Sequence, residues 1–471
     1  MSFVFYDIGF LVIFVALVAI FLRRNKKQIK KEGWLLLYKA DWGIKLIDKV
    51  GNKYKKSLKF LSYVSVVLGY ILMIGMLYLA YNIIKIYIFR PDIVSQVKVP
   101  PIMPLIPYID KFVTFLPPFY FTYWIVILAV IAITHEFAHG IFAAYNKVNI
   151  KKTGFGFFPF FLPVFLAAFV ELNEKQMVKK KNFSQRAILS AGTFANIITA
   201  IVFLIVLGIF FTAAFSPAGV SFDGYVTSVI PVASITLVNN ISVENPTLDD
   251  IKGLMTNASF NYIEAREKNY VGVRGFSSDM KLVEVYDDAP AINYGLNGAI
   301  LSINGIKIDS VDKLSSELDK YSPGNTIIIE TENVDGEVHS LEITLDEHPI
   351  RAGKAWLGIG FANNQGRGIM NKFFAAASSF KKPNIYYKSQ IGDAGWFIYN
   401  LLWWLILISM SVALVNMLPM GIFDGGRFFY LTVLAVTGNE NIAKKSFSWI
   451  TKLFLLLLVA IMVFWAYVIF F

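Results

Sequence analysis

The sequence predicts a polytopic α-helical membrane protein with about six spans, a re-entrant segment and an inserted extracytoplasmic α/β domain. Three observations predict it. Of 471 residues, 56% are hydrophobic and only 16% charged, where an average soluble domain carries about 25% charged residues. Six apolar runs reach the ~20 residues that cross a bilayer. Between those runs, basic and acidic residues are segregated from loop to loop.

The runs lie at roughly 3–22, 60–88, 120–145, 187–215, 396–418 and 446–471. The first has no basic residue before it and a basic cluster straight after it, the reverse of a secretory signal. From Arg23 to Lys59 there are 13 basic and 3 acidic residues. That loop is expected on the cytoplasmic side, which places the N-terminus outside. Alternation then puts the basic segment 146–186 inside and the segment 216–355 outside. The latter holds 21 acidic and 10 basic residues, so the surplus positive charge is topogenic. No soluble basic face remains to hold nucleic acid. The chain has no cysteine, which excludes disulfides, thiolate metal sites and cysteine nucleophiles. The stretch Gly154 to Val170 is apolar but short and carries Pro159 and Pro163. It reads as a re-entrant or interfacial segment.

From 216 to 360 the chain changes character. Apolar runs shorten, and Gly, Asn and Asp punctuate them. Lys281 to Tyr286 and Thr326 to Glu330 read as strands, and Asp312 to Lys320 as an amphipathic helix. Asn304-Gly305 and Asp335-Gly336 read as hairpin turns. The run from Ala289-Pro290-Ala291 through Gly295-Leu296 and Ile300 to Gly305, then the helix and a strand pair ending near Leu345, resembles the PDZ domains of membrane-associated proteases. Such a domain takes an extended peptide end along a sheet edge; a passive cap over the membrane part is the plain alternative. Residues 217–280 fit either the remaining strands of that domain or a separate insert. The segment 361–395 reads as a linker or an interfacial stretch.

Two of the four histidines stand in His135-Glu136-Phe137-Ala138-His139. Histidines at i and i+4 share one helical face, so both imidazoles reach one metal ion, with the glutamate beside it as a base. The motif follows an almost wholly apolar stretch, where ionisable groups are functional by default. A third ligand is needed. Asp424 is the candidate, although Asp424-Gly425 alone also reads as a turn. Depth favours the ligand reading. His135 comes some 15 residues into an inward-running span, and Asp424 ends another, so both fall at the inner leaflet.

With these residues the chain resembles the site-2 protease family of intramembrane zinc metalloproteases. His135-Glu136-x-x-His139 matches one family motif. Asn416, Pro419, Asp424 and Gly425 match N-x-x-P-x-x-x-x-D-G, and Gly192 with Asn196 match G-x-x-x-N. The resemblance runs from about 120 to 430. It implies a membrane core in two halves, 120–215 and 396–471, after an accessory two-span region, 1–119. It implies one Zn2+ held by His135, His139 and Asp424, with Glu136 as general base. Asn196 and Asn416 would face substrate or oxyanion, and the Gly154 to Val170 segment would offer a β-like edge. Small-residue packing is the rival for Gly192 and Asn196, and helix capping for Asn416. The substrates implied are transmembrane proteins within the lipid bilayer. A metal transporter would need a polar path across the bilayer, and no second ionisable cluster supplies one. A non-catalytic scaffold would leave Glu136 unexplained.

Overall fold

The structure is a computed structural model. It describes residues 3–32, 35–90, 94, 100, 103, 105–113, 116–157, 166–256, 260–277, 281–361 and 378–470. The chain divides into two compact units, 1–207 with 397–471, and 208–396.

The first unit is helical. Its elements are α1 (Phe3–Arg24), α2 (Ile44–Lys53), α3 (Lys55–Phe89), α4 (Phe121–Tyr145), α5 (Glu174–Val178), α6 (Asn182–Ala214), α7 (Asp393–Asn416), α8 (Asp424–Thr437) and α9 (Glu440–Phe470). Among the described residues, six helices are long and apolar enough to cross a membrane: α1, α3, α4, α6, α7 and α9. All six expected runs are there, and helix ends extend past them where Lys and Arg begin.

Helix α1 is tied to α4 by one carboxylate. Asp7 is buried and accepts from the Phe121 and Thr122 amides at 2.7 and 2.9 Å, from the Thr122 hydroxyl at 2.5 Å and from the Tyr108 hydroxyl at 2.7 Å. A carboxylate at a helix N-terminus satisfies orphan amides and faces the positive end of the dipole. The contact brings the N-terminal ends of the two helices together. Asp7→Ala strands four buried or part-buried donors. It should cost about 2 kcal/mol or more, visible as a lowered unfolding midpoint in detergent. Asp7→Asn should recover part of this through its carbonyl oxygen. An unchanged midpoint for the alanine variant would show that α1 is not held this way.

The basic stretch after α1 is more than a topological signal. It supplies β1 (Ile29–Glu32) and β2 (Leu35–Ala40) to an antiparallel sheet ordered β1-β2-β3-β4. Strands β3 (Ile150–Phe157) and β4 (Leu166–Leu172) are the two arms of the expected re-entrant segment. Pro159 and Pro163 lie outside the described residues. The register pairs Leu36 with Phe157 and Thr153 with Val170. Trp42 stacks on Phe155 at 5.3 Å and leans on Phe137 of α4 at 5.5 Å. Ile47 of α2 is fully buried, close to Gly140. Strand β2, Trp42 and α2 therefore build the wall beside the His-Glu motif.

Among its described residues, the second unit holds two six-stranded sheets and two short two-stranded ones. One of the larger two contains the strands Thr227–Pro231, Ile235–Val238, Ile241–Ser242, Ile263–Ala265, Lys268–Phe276 and Leu282–Asp287. The other contains Phe215–Val220, Ala299–Ile303, Ile306–Lys307, Thr326–Glu332, Val338–Thr344 and Ile385–Ser389. Each follows one plan. A tight hairpin is followed by a helix (Leu248–Leu254 or Val311–Leu318) and then by a second hairpin whose first strand pairs back antiparallel on the first. The helices start on matching caps, Thr247 and Ser310. The expected insert at 216–360 thus holds a duplicated unit: the strands between Thr227 and Asp287 form a sheet of their own, while Phe215–Val220 joins the other sheet. The expected linker at 361–395 also needs correction. Residues Ile385–Ser389 pair with Phe215–Val220, so this end of the insert is closed by its own sheet; residues 362–377 lie outside the described residues.

Candidate metal centre

Helix α4 carries His135 and His139 one turn apart, and both are buried. After α7 the chain turns back sharply through Met417 to Phe423 and starts α8 at Asp424. The turn is tight: a Cβ at Gly425 would lie 2.4 Å from the Met417 carbonyl carbon. Pro419 is buried within the turn. This backbone delivers the Asp424 carboxylate to the two imidazoles.

The three side chains converge on one point. Nε2 of His135 and of His139 lie 3.3 and 3.2 Å from Oδ2 of Asp424, and 3.1 Å from each other. A tetrahedral metal with bonds of about 2.0–2.1 Å needs ligand atoms about 3.3 Å apart. The triangle has that size. Two imidazole nitrogens facing each other at this distance must share a proton or a metal ion, because two bare lone pairs would repel. Among the described residues, His135, His139 and Asp424 form the one group of three or more such ligands.

The supporting contacts come from one face of α6. Nδ1 of His139 donates to the Ile188 carbonyl at 2.7 Å, which leaves Nε2 free as a ligand. One turn on, a Cβ on Gly192 would lie 2.4 Å from His139 Nε2 and 2.6 Å from His135 Nε2. One turn further, the Asn196 amide lies 3.0 Å from Nδ1 of His135. Asn196 is fully buried, and its Oδ1 has no partner. The two ends of the amide have the same shape. With Oδ1 turned to Nδ1–H, both the orphan oxygen and the His135 tautomer are satisfied.

Asn196 therefore stands behind His135 and does not line the cavity. Asn416 does. Glu136 also lines it, with Oε2 accepting from the Val170 amide of β4 at 2.9 Å. The cavity encloses about 890 Å³. One wall is the free edge of β4, with Ala168, Val170 and Leu172 turned to it by the strand's period of two. Its mouth is polar, with Lys151, Glu171, Glu174 and Arg427. Arg427 pairs with Glu174 at 2.8 Å, and Lys39 with Glu171 at 2.9 Å. The Lys39 hydrogen bond holds the Glu171 carboxyl below the usual carboxylate range. This shell of Ile188, Val170, Lys39 and Arg427 carries no motif. Asp7, an acid inside an apolar run, was the one member of the wider framework that sequence could have flagged.

Among curated protein sequences none matches this chain. The sequence profile of peptidase family M50 matches residues 123–461, which takes in α4, the insert, Asp424 and most of α9. This multi-pass membrane chain belongs to peptidase family M50, the site-2 protease family of membrane metalloproteases.

Proposed function

We propose that this protein is a zinc-dependent intramembrane endopeptidase that cuts peptide bonds within or near transmembrane helices. The observation that carries the reading is the His135, His139 and Asp424 triangle with Glu136 beside it in a cavity among apolar helices. Bound zinc would polarise the scissile carbonyl and acidify the attacking water. Glu136 takes the proton from that water. Its Oε2 is held by Val170, so Oε1 is the free acceptor. The same carboxyl then returns the proton to the departing amine. Asn416, on the cavity wall, would donate to the developing oxyanion or the substrate backbone.

A helix hides its carbonyls in internal hydrogen bonds, so a substrate must unwind before it can be cut. The edge of β4 gives unwound backbone somewhere to pair. Water reaches the site through the polar mouth. By the distribution of basic residues, that mouth and the active site lie at the cytoplasmic leaflet of the cell membrane, and the insert lies outside. The duplicated hairpin–helix–hairpin units of the insert suit PDZ-like binding of a peptide end. That would let an outside domain screen substrates in regulated, sequential proteolysis.

Elemental analysis tests the metal. Full-length wild type purified in detergent should carry about one zinc. Asp424→Ala should lose most of it, and cleavage of a single-span peptide with it. Undiminished zinc in Asp424→Ala would overturn this ligand set and move the third ligand to Glu171 or Glu174.

A further inference from the structure

We propose that Leu105 closes the far end of the cavity and defines a subsite for about three apolar residues on one side of the scissile bond. The inference rests on the protease reading and names part of its substrate class.

The cavity continues well past the metal ligands. Along α4 its wall runs from His135 through Ala132 and Ile131 to Leu128. Along α7 it runs from Asn416 through Val412 to Ile408. Each series steps by one helical turn, so two helix faces border one apolar slot. His135 to Leu128 spans seven residues, or about 10 Å at 1.5 Å each. Extended peptide advances about 3.3 Å per residue, so the slot holds about three residues.

Leu105 lines the same cavity. Its carbonyl accepts from Trp124 Nε1 at 2.8 Å, one turn of α4 beyond Leu128. Three residues later, Tyr108 is pinned to Asp7. The stop is thus fixed to α4 directly and to α1 through the Asp7 carboxylate. The slot is lined by Leu, Ile, Val and Ala side chains, while Lys151, Glu171, Glu174 and Arg427 cluster at the mouth and Glu136 and Asp424 stay at the metal site. An unpaired charge in the slot has no compensating group; at the mouth it meets water and counter-charges. The preferred substrate is therefore a peptide cut where an apolar segment meets a polar one. Apolar side chains fill the three positions on the slot side, and polar or charged residues are accepted on the other. This is the chemistry of the end of a transmembrane span.

The test uses the full-length zinc-loaded protein and a panel of single-span peptides, each an apolar stretch with polar ends and a Gly pair where it meets one of them. One Lys is moved through every position, and cut sites are read by mass spectrometry. Wild type should lose cleavage by tenfold or more when Lys falls at any of about three consecutive positions on one side of the cut. Leu105→Ala should admit Trp at the outermost of these positions, improving its kcat/KM by roughly tenfold relative to wild type. Leu105→Trp should act in the opposite sense and shorten the apolar run required. Cut position and residue preference are read rather than total rate, so partial misfolding cannot mimic the result. Cleavage with the same pattern in all three proteins, or Lys tolerated equally on both sides, overturns the subsite and leaves the protease reading standing. No cleavage by zinc-loaded wild type overturns both.

Discussion

Glu136→Gln leaves a folded, zinc-loaded protein whose cleavage of a single-span peptide falls by about a thousandfold or more. The size follows from the role. Positioned acid–base groups contribute about 10²–10⁴ in rate, and Glu136 is asked to act twice, on the water and on the leaving amine. The selectivity follows from the geometry. The carboxylate accepts from the Val170 amide, and the amide oxygen of glutamine can accept the same hydrogen bond. Glu136 is not among the three groups that surround the metal position. So zinc content and thermal midpoint stay near wild type while turnover collapses. Zinc per chain, unfolding midpoint and cleavage rate, measured on one preparation, separate the outcomes. Activity within tenfold of wild type would remove Glu136 as the base. Loss of zinc alongside activity would mean that the carboxylate helps hold the metal.

The parts of this molecule that sequence discloses are those with a short-range signature. A membrane span is a local fact, since about 20 apolar residues in a row have few other uses. The six long helices match six runs for that reason. His135 and His139 are legible because helical spacing alone brings them together, and Asp424 because the order of the spans predicts the same depth for it. What escaped is long-range pairing. Strand β2 meets β3 at Leu36 and Phe157, far apart in the chain. Nothing in a basic stretch announces that it will complete a sheet, and its lysines read first as a topological signal. The duplication in the insert is blurred for a similar reason. Val238-Asn239-Asn240-Ile241 and Ile303-Asn304-Gly305-Ile306 turn two equivalent hairpins, with left-handed backbone at Asn239, Asn240, Asn304 and Gly305. Fold conserves that geometry, while the letters around it drift. The contacts that orient the histidines are mixed in the same way. The Ile188 carbonyl belongs to the backbone and leaves no trace in sequence, whereas Gly192 and Asn196 do.

Gly192 carries the second large effect. Its rival reading is ordinary small-residue packing between membrane helices, and the two readings predict different losses. A Cβ at this position would fall 2.4–2.6 Å from the ring atoms of His135 and His139. Helix α6 cannot simply retreat, because Ile188 one turn before and Asn196 one turn after bind those same rings. The rings must swing away instead, and the cavity beside them has room to take them. Gly192→Ala should therefore lower zinc affinity by about 100-fold, the upper range for disturbing groups that support metal ligands. The metal-free protein should unfold within a few degrees of metal-free wild type. Gly425→Ala makes the contrast, since its Cβ meets the Met417 and Leu418 backbone, which cannot rotate aside. That variant should lose stability with or without zinc. Zinc titration against a competing chelator, paired with midpoints in both metal states, reads the difference. If Gly192→Ala binds zinc normally but melts early, the glycine serves packing and the metal tolerates its neighbours. If it melts normally and fails to hold zinc, the G-x-x-x-N pattern on α6 is part of the metal site.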